Sequence, residues 1–82
     1  MVRIQVLCFA AARDAVEAAR VELDLQDGAT VESGIAGLAD RHPRLRAMLP
    51  TLRYAVNEEF APASQPLRDG DVLALIPPVS GG

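Results

Sequence analysis

The sequence predicts an α+β fold, in which a mixed sheet packs against one main helix. Two segments near the N-terminus, residues 2–9 and 21–25, alternate apolar and polar residues with the period of a strand. A helical pattern covers residues 30–42, and a wholly apolar run covers residues 72–76. Strands before and after a single long helix indicate a sheet with that helix on one face.

The first strand has an apolar face that should point into the core and a second face that becomes apolar at its end. Cys8 shares the first face with valine and isoleucine, so we expect a buried thiol without a chemical role. Leu7 and Phe9 lie on the other face. Alanine-rich residues 10–20 favour a short helix, and "QDGA" after the second strand favours a turn.

The main helix should begin at Thr30, a good N-cap, and end before Pro43, which restricts the residue that precedes it. Gly34 and Gly37 lie inside this helix, and each costs about 1 kcal/mol relative to alanine. Packing must therefore hold the helix, or the glycines allow a close approach to the sheet. His42, the single imidazole, should have a surface or capping role.

The second half of the chain adds the remaining strands. Residues 43–50 should form a helical turn or loop, residues 52–57 a third strand and residues 60–62 a short fourth strand. "NEE" and "RDGD" favour turns. The last strand is apolar on both faces, as a central strand should be, and the first strand is its expected neighbour. We expect six residues to be buried between sheet and helix: Val6, Leu23, Ile35, Leu38, Leu73 and Leu75.

Composition excludes several classes of function. The 82 residues suit one domain, and the net charge of −3 with eight scattered arginines disfavours nucleic-acid binding. One cysteine and one histidine cannot form a zinc site, so we expect no metal. The N-terminus resembles neither a signal peptide nor a membrane span, which favours a soluble cytoplasmic protein without a membrane partner. No set of side chains has catalytic spacing.

The C-terminal "PPVSGG" is the segment with chemical interest. Paired prolines and paired glycines at these places would arise by chance roughly once in 10⁵ chains. Proline stiffens the base of a tail, and glycine passes through a narrow tunnel because it has no Cβ. Six extended residues reach about 20 Å. We therefore predict a folded domain over residues 1–76 and an extended tail over residues 77–82, with the Gly82 carboxylate as its working group.

The sequence resembles the small subunits of molybdopterin synthase, a family of ubiquitin-like sulfur carriers with the β-grasp fold. The resemblance covers essentially the whole chain and is strongest at the C-terminus. The segments that carry it are "FAAARD", "TVESGIAGLADRHP", "AVNEE", "PLRDGD" and "LIPPVSGG".

This resemblance implies a role as a protein-bound sulfur donor in molybdenum cofactor biosynthesis, without a catalytic base or bound cofactor of its own. An E1-like adenylyltransferase would adenylate Gly82 with ATP, and a sulfur donor protein would convert it to a thiocarboxylate. The large catalytic subunit would accept the tail, and sulfur would pass to cyclic pyranopterin monophosphate. The expected assembly has two large and two small subunits. The residues implied to thread into the active site are Pro77, Pro78, Val79, Ser80 and Gly81.

The resemblance also implies a partner surface. Phe9, Phe60 and Ile76 match family positions that make apolar partner contacts, and Arg13 matches a position that meets the activating enzyme. The residues themselves leave another interpretation open, in which the apolar three pack in the core and Arg13 is an ordinary exposed helix residue.

Two other functions also stay open at this point. The chain could carry sulfur for another pathway, such as thiamine thiazole or cysteine synthesis, with the same terminal chemistry. It could instead be a ubiquitin-like modifier that forms isopeptide bonds with lysines of target proteins.

Overall fold

A five-stranded mixed sheet forms the centre of the molecule in a computed structural model, which describes residues 1–78. The strands follow the spatial order β2-β1-β5-β3-β4. β1 and β5 are neighbours, as predicted, and they run parallel, whereas the other pairs are antiparallel. The strands are β1 (Val2–Cys8), β2 (Arg20–Leu25), β3 (Arg53–Val56), β4 (Glu59–Ala61) and β5 (Val72–Ile76). The helices are α1 (Ala10–Val16), α2 (Val31–Arg41) and α3 (Pro43–Met48), and a 3₁₀ turn (Leu49–Thr51) follows α3.

Several predicted boundaries were wrong by a few residues. α1 ends at Val16 rather than continuing to residue 20, because Glu17 adopts a left-handed backbone with φ of +63°. The predicted turn "NEE" is a two-residue turn, so β4 starts at Glu59, one residue early. Residues 43–50, predicted as a helical turn or loop, contain the helix α3 and the first two residues of the 3₁₀ turn.

The N-terminus of α2 confirms the predicted cap. The Thr30 hydroxyl accepts a hydrogen bond from the Ser33 backbone N–H at 3.2 Å, and the Ser33 hydroxyl accepts one from the Thr30 N–H at 2.9 Å. This reciprocal pair satisfies two donors that a helix start leaves open. At the other end, His42 is half-buried and joins α2 to α3 through its backbone, since its N–H donates to the Ala39 carbonyl.

The core lies between the sheet and the three helices. Five of the six predicted core residues are buried there, all at 2% exposure or less: Val6, Ile35, Leu38, Leu73 and Leu75. Leu23 is only half-buried, because β2 is an edge strand whose inward face is partly open to solvent. Cys8 is 3% exposed and packs in this core, as predicted.

The two helix glycines have different surroundings. A Cβ on Gly34 would lie 3.0 Å from Leu25 Cδ1, whereas a Cβ on Gly37 would meet nothing within 4 Å. Gly34 therefore permits the close approach of α2 to β2 that the sequence suggested. Gly37 has no such packing reason.

Candidate functional site

The chain leaves the sheet from its centre. β5 lies between β1 and β3, where Leu75 pairs with Cys8 and Ile76 pairs with Arg53. We call the side of the sheet where β1 and β5 end, and where β2 and β3 begin, the exit edge. Pro77 is half-buried there and Pro78 is exposed. A strand paired on both sides gives the tail a fixed base.

The tail residues with the predicted chemistry lie outside the described residues. They are Val79, Ser80, Gly81 and Gly82. Their roles, and the predicted division between residues 1–76 and 77–82, therefore stay predictions. β5 ends at Ile76, immediately before the predicted tail.

The sheet face opposite the helices carries a continuous apolar row. Leu7 pairs with Ala74, Ala74 with Ala55, and Ala55 with Phe60, so four strands contribute one residue each. Ala55 is 8% exposed, yet it is not part of the core cluster. We call Leu7, Ala74, Ala55 and Phe60 the apolar row. Its two alanines lie between two large side chains, Leu7 and Phe60.

The predicted partner residues lie on the surface rather than in the core. Phe9 is 48% exposed and Phe60 is 74% exposed, so the core interpretation is wrong for both. Ile76 is half-buried and also lies outside the core cluster. Arg13 is exposed on α1. Phe9, Arg13 and Ile76 share the exit edge, and Phe60 lies at the far end of the apolar row on the edge strand β4.

A strained residue fixes the position of Phe9. Ala10, the next residue, has φ of +49°, a left-handed conformation that costs a non-glycine residue roughly 1–2 kcal/mol. The Phe9 carbonyl then accepts hydrogen bonds from the N–H groups of Ala12 at 3.0 Å and Arg13 at 3.3 Å. The sharp bend between β1 and α1 leaves the Phe9 ring half in solvent at the exit edge.

The segments "AVNEE" and "PLRDGD" anchor the start of β5. The Asn57 side chain donates to Asp71 Oδ1 at 2.9 Å and accepts from the Val72 N–H at 3.0 Å. Asp71 Oδ2 also accepts from the Arg68 N–H at 2.8 Å. These polar residues fix the register of the central strand, and through it the place where the tail leaves the sheet.

Next to this anchor, β1 and β2 are linked by an exposed ion pair. Arg3 Nε donates to Asp24 Oδ1 at 2.8 Å, and this hydrogen bond lowers the pKa of Asp24 and raises that of Arg3. Asp69 Oδ1 accepts from the Arg3 N–H at 2.8 Å. The end of the sheet opposite the exit edge, where β1 and β5 begin, is therefore held by side-chain hydrogen bonds.

Beyond Phe60, an open groove of about 870 Å³ lies between α2 and the β3–β4 hairpin. Tyr54 lines it, and burial together with the nearby Glu32 raises the pKa of the Tyr54 hydroxyl.

In residues 1–78, no three His, Cys, Asp or Glu side chains are grouped so that they could hold a metal ion. Within the same residues, no helix combines the length and apolar character needed to cross a membrane.

The sequence pattern did not reveal that Ala55 and Ala74 lie on the sheet face opposite the helices. Period two shows which residues of one strand share a face, but the apolar row depends on the register between four strands. The sequence did offer one signal for this row, which is a small residue at a position of a central strand that faces away from the helices.

Comparisons with known proteins agree over the length of the chain. A family model described as the ThiS family matches residues 6–82. A molybdopterin synthase sulfur carrier subunit from Mycobacterium tuberculosis is 41% identical over 83 residues, and the match covers 100% of this chain and 100% of that protein. One with the same name from Chlamydomonas reinhardtii is 37% identical over 98% of this chain and 99% of its own.

Solved structures confirm the predicted ubiquitin-like β-grasp fold. The crystal structure of SAMP1 from Haloferax volcanii, a small archaeal modifier protein, matches with a TM-score of 0.88 and 28% identity. The match covers 98% of this chain and 99% of that one.

Proposed function

We propose that this chain, which belongs to the ThiS family, is the sulfur carrier of a molybdopterin synthase and that the Gly82 carboxylate holds the sulfur. One observation carries the proposal: 41% identity, over 100% of both chains, to a protein named molybdopterin synthase sulfur carrier subunit. The exit of the chain from the centre of the sheet supports it, because a fixed base can direct a tail into a partner.

The proposed chemistry takes place entirely at the tail. A carboxylate is a poor electrophile, so an adenylating partner first joins it to AMP from ATP and releases pyrophosphate. Sulfur at the oxidation level of sulfide, delivered by a sulfur donor protein, then attacks the acyl carbon and displaces AMP, which leaves a thiocarboxylate on Gly82. On the large subunit this sulfur passes to cyclic pyranopterin monophosphate, and water supplies the oxygen that restores the Gly82 carboxylate. ATP is bound by the adenylating partner, and residues 1–78 position the tail.

The surface around the exit edge supports docking on a large subunit. Phe9 at the exit edge and Phe60 at the far end of the apolar row are both exposed, and exposed aromatic residues are frequent anchors of protein interfaces. A tail of six extended residues reaches about 20 Å beyond Ile76. We propose the assembly that the family resemblance implies, with two large and two small subunits.

The test is the mass of the loaded protein. After incubation with an adenylating enzyme, ATP and a sulfur donor, one sulfur should replace one oxygen and add about 16 Da at the activated acyl group. The C-terminal peptide alone should carry this change. A chain without Gly82 should gain no mass, and a wild-type chain that gains none under these conditions contradicts the proposal.

Cys8 makes the assay sharper. It is the single thiol of the sequence, it is 3% exposed, and burial raises its pKa. Because the thiolate is the reactive form, iodoacetamide should alkylate a terminal thiocarboxylate under native conditions and leave Cys8 unmodified. A Cys8→Ala variant should give the same labelling, and loss of label in that variant would assign the signal to the thiol.

A protein modifier is the second candidate, because the similar SAMP1 structure is that of a small archaeal modifier protein. Incubating the adenylated chain with a cell extract separates the two functions. Ladders of conjugated proteins support modification, and a sulfur gain without ladders supports the carrier. Dithiolene formation with a candidate large subunit would distinguish molybdopterin synthesis from the thiazole and cysteine pathways.

A further inference from the structure

The cationic side chains of this protein are all of one kind. The sequence holds eight arginines and no lysine. The two residue types carry the same charge but differ in reactivity. A guanidinium keeps its proton at any pH that a folded protein meets, whereas a lysine ammonium can lose one and expose a nucleophilic amine. The arginines therefore supply positive charge without a group that attacks an activated acyl carbon.

The fold places several of these arginines around the base of the tail. Arg53 is the cross-strand partner of Ile76, the last residue of β5, and Arg20 begins β2 at the exit edge. Arg13 lies on α1, which directly follows β1, and it lines a shallow cleft with Arg44 of α3. All four arginines are exposed. A lysine at any of these places would present its amine to the tail.

The tail can reach this surface. Six extended residues span about 20 Å from Ile76. A group on such a tether meets its own domain at an effective concentration in the millimolar range, roughly a hundredfold above a protein solution of about 10 μM. The domain that carries the tail is therefore the place where an activated terminus would be captured first.

The N-terminal amine and the thiol are poorly placed to capture the terminus. The Met1 ammonium is 3.1 Å from Asp27 Oδ1, at the end of β1 opposite the exit edge. It lies about 23 Å from Cys8 at the spacing of an extended strand, which exceeds the reach of the tail. Cys8 is 3% exposed, and burial raises its pKa, which disfavours the reactive thiolate.

Hydroxyl groups are weaker candidates still. The Ser33 hydroxyl donates to the Thr30 carbonyl at 3.1 Å, and the Thr51 hydroxyl donates to a backbone carbonyl at 3.0 Å. Burial and the nearby Glu32 raise the pKa of Tyr54, so its phenol stays neutral. Neutral hydroxyls without a neighbouring base are weak nucleophiles.

We infer that arginine, in place of lysine, around the exit edge protects the activated terminus from capture by its own domain. The inference rests on the proposed function, in which the Gly82 carboxylate becomes an acyl adenylate. A lysine within reach would attack the acyl carbon of that adenylate through its amine nitrogen. A C–N bond would form, the bond from the acyl carbon to the AMP oxygen would break, and a proton would pass to water. AMP would leave, and the chain would be lost as a cyclic amide.

The same property limits the second candidate function. One copy of this chain offers no lysine to another copy. A modifier of this kind would therefore be attached to target proteins as single domains and would not form branched chains.

The experiment activates the terminus chemically, so that neither the adenylating partner nor the sulfur donor is needed. The full chain is prepared with Gly82 as the thioester of a small thiol and is kept at mildly alkaline pH. Arg53→Lys places one amine at the base of the tail. Arg68→Lys places the same amine before the start of β5, at the opposite end of the sheet. Both positions are exposed, and thermal unfolding checks that both variants fold.

Arg53→Lys should form an intramolecular amide at a first-order rate that does not depend on protein concentration. This product is about 18 Da lighter than the hydrolysed chain, and peptide mapping should place the new bond at residue 53. At about 10 μM protein, the cyclic amide should exceed linked dimers by roughly 100-fold. The wild type should only hydrolyse. Arg68→Lys should give roughly tenfold less cyclic amide than Arg53→Lys, because its position lies at the limit of the tail's reach.

A wild-type chain that cyclises would overturn the inference, because the domain would then hold another acceptor. The inference also fails if Arg53→Lys and a second variant, Arg13→Lys, hydrolyse just as the wild type does, since arginine would then give no protection. Equal yields from Arg53→Lys and Arg68→Lys would contradict a role for the exit edge. None of these results affects the sulfur gain of the wild-type chain, which is measured separately with the partner enzymes.

Discussion

At the scale of single residues, the turn between β3 and β4 is under strain. Asn57 and Glu58 both have a left-handed backbone, with φ of +52° and +71°. A two-residue hairpin turn of this kind favours Asn-Gly, because glycine has no Cβ to clash. Asn57 fits its position and uses its side chain to hold Asp71 and Val72. Glu58 is exposed and makes no side-chain hydrogen bond within the described residues.

Replacing Glu58 with glycine should therefore stabilise the protein by about 1 kcal/mol, since the left-handed backbone costs a residue with a Cβ about that much. Urea denaturation measures the change in the free energy of unfolding. Asn57→Gly is the matched control, because it suits the same turn but removes two side-chain hydrogen bonds, and it should destabilise. If the Glu58→Gly variant were less stable, Glu58 would contribute more to the free energy of unfolding than its left-handed backbone costs, and the strain argument would be wrong.

Phe60 tests the apolar row at the same scale. It is 74% exposed and outside the core cluster, so Phe60→Ala should leave the melting temperature nearly unchanged. It should weaken binding to a large subunit by about 1–4 kcal/mol, as truncation of an aromatic anchor does. Calorimetry of the complex measures this loss.

Leu38→Ala is the corresponding core control. Leu38 is 2% exposed, and its truncation should cost about 2–5 kcal/mol of stability. If Phe60→Ala lowers stability as Leu38→Ala does and leaves binding unchanged, the docking surface lies elsewhere.

At the scale of elements, α2 combines a good N-cap with two residues that weaken a helix. Gly37 is exposed and has free space around its missing Cβ, so Gly37→Ala should stabilise the protein by about 0.5–1 kcal/mol. At Gly34 the same gain in helix propensity is opposed by a contact of 3.0 Å with Leu25 Cδ1. Gly34→Ala should therefore give no gain or a loss, and chemical denaturation of the pair measures the difference. Equal stabilisation by both would show that β2 yields easily to a closer side chain.

At the scale of the whole molecule, the sequence predicted the strands that show a regular apolar pattern. It did not predict features that depend on how the strands and helices are arranged in space. Alternation identified β1 and β2, and the apolar run identified β5 as a central strand. The prediction that Leu23 is fully buried was wrong, because the sequence of β2 does not show that this strand lies at the edge of the sheet. The arginines look scattered along the chain, and only the fold gathers Arg13, Arg44 and Arg53 at one end.

The final prediction concerns Gly82, which should be essential for function and unimportant for stability. β5 ends at Ile76, and no core residue of the described chain follows Leu75. Deleting Gly82 should therefore leave the melting temperature unchanged. Sulfur transfer should be abolished, because the reacting carboxyl group would lie one residue, about 3.3 Å, short of its position in the partner. Mass spectrometry of the loaded tail and reconstituted dithiolene formation measure the two steps.

Two further variants separate the position of the carboxylate from its presence. One residue added after Gly82 keeps a terminal carboxylate but moves it about 3.3 Å too far, so loading should fail. Gly81→Val keeps the length and should load slowly, since a β-branched side chain narrows the choice of backbone and widens the tail. Both should fold like the wild type. A chain lacking Gly82 that still supports dithiolene formation would contradict the sulfur-carrier proposal, because the Gly82 carboxylate would then not be needed to hold the sulfur.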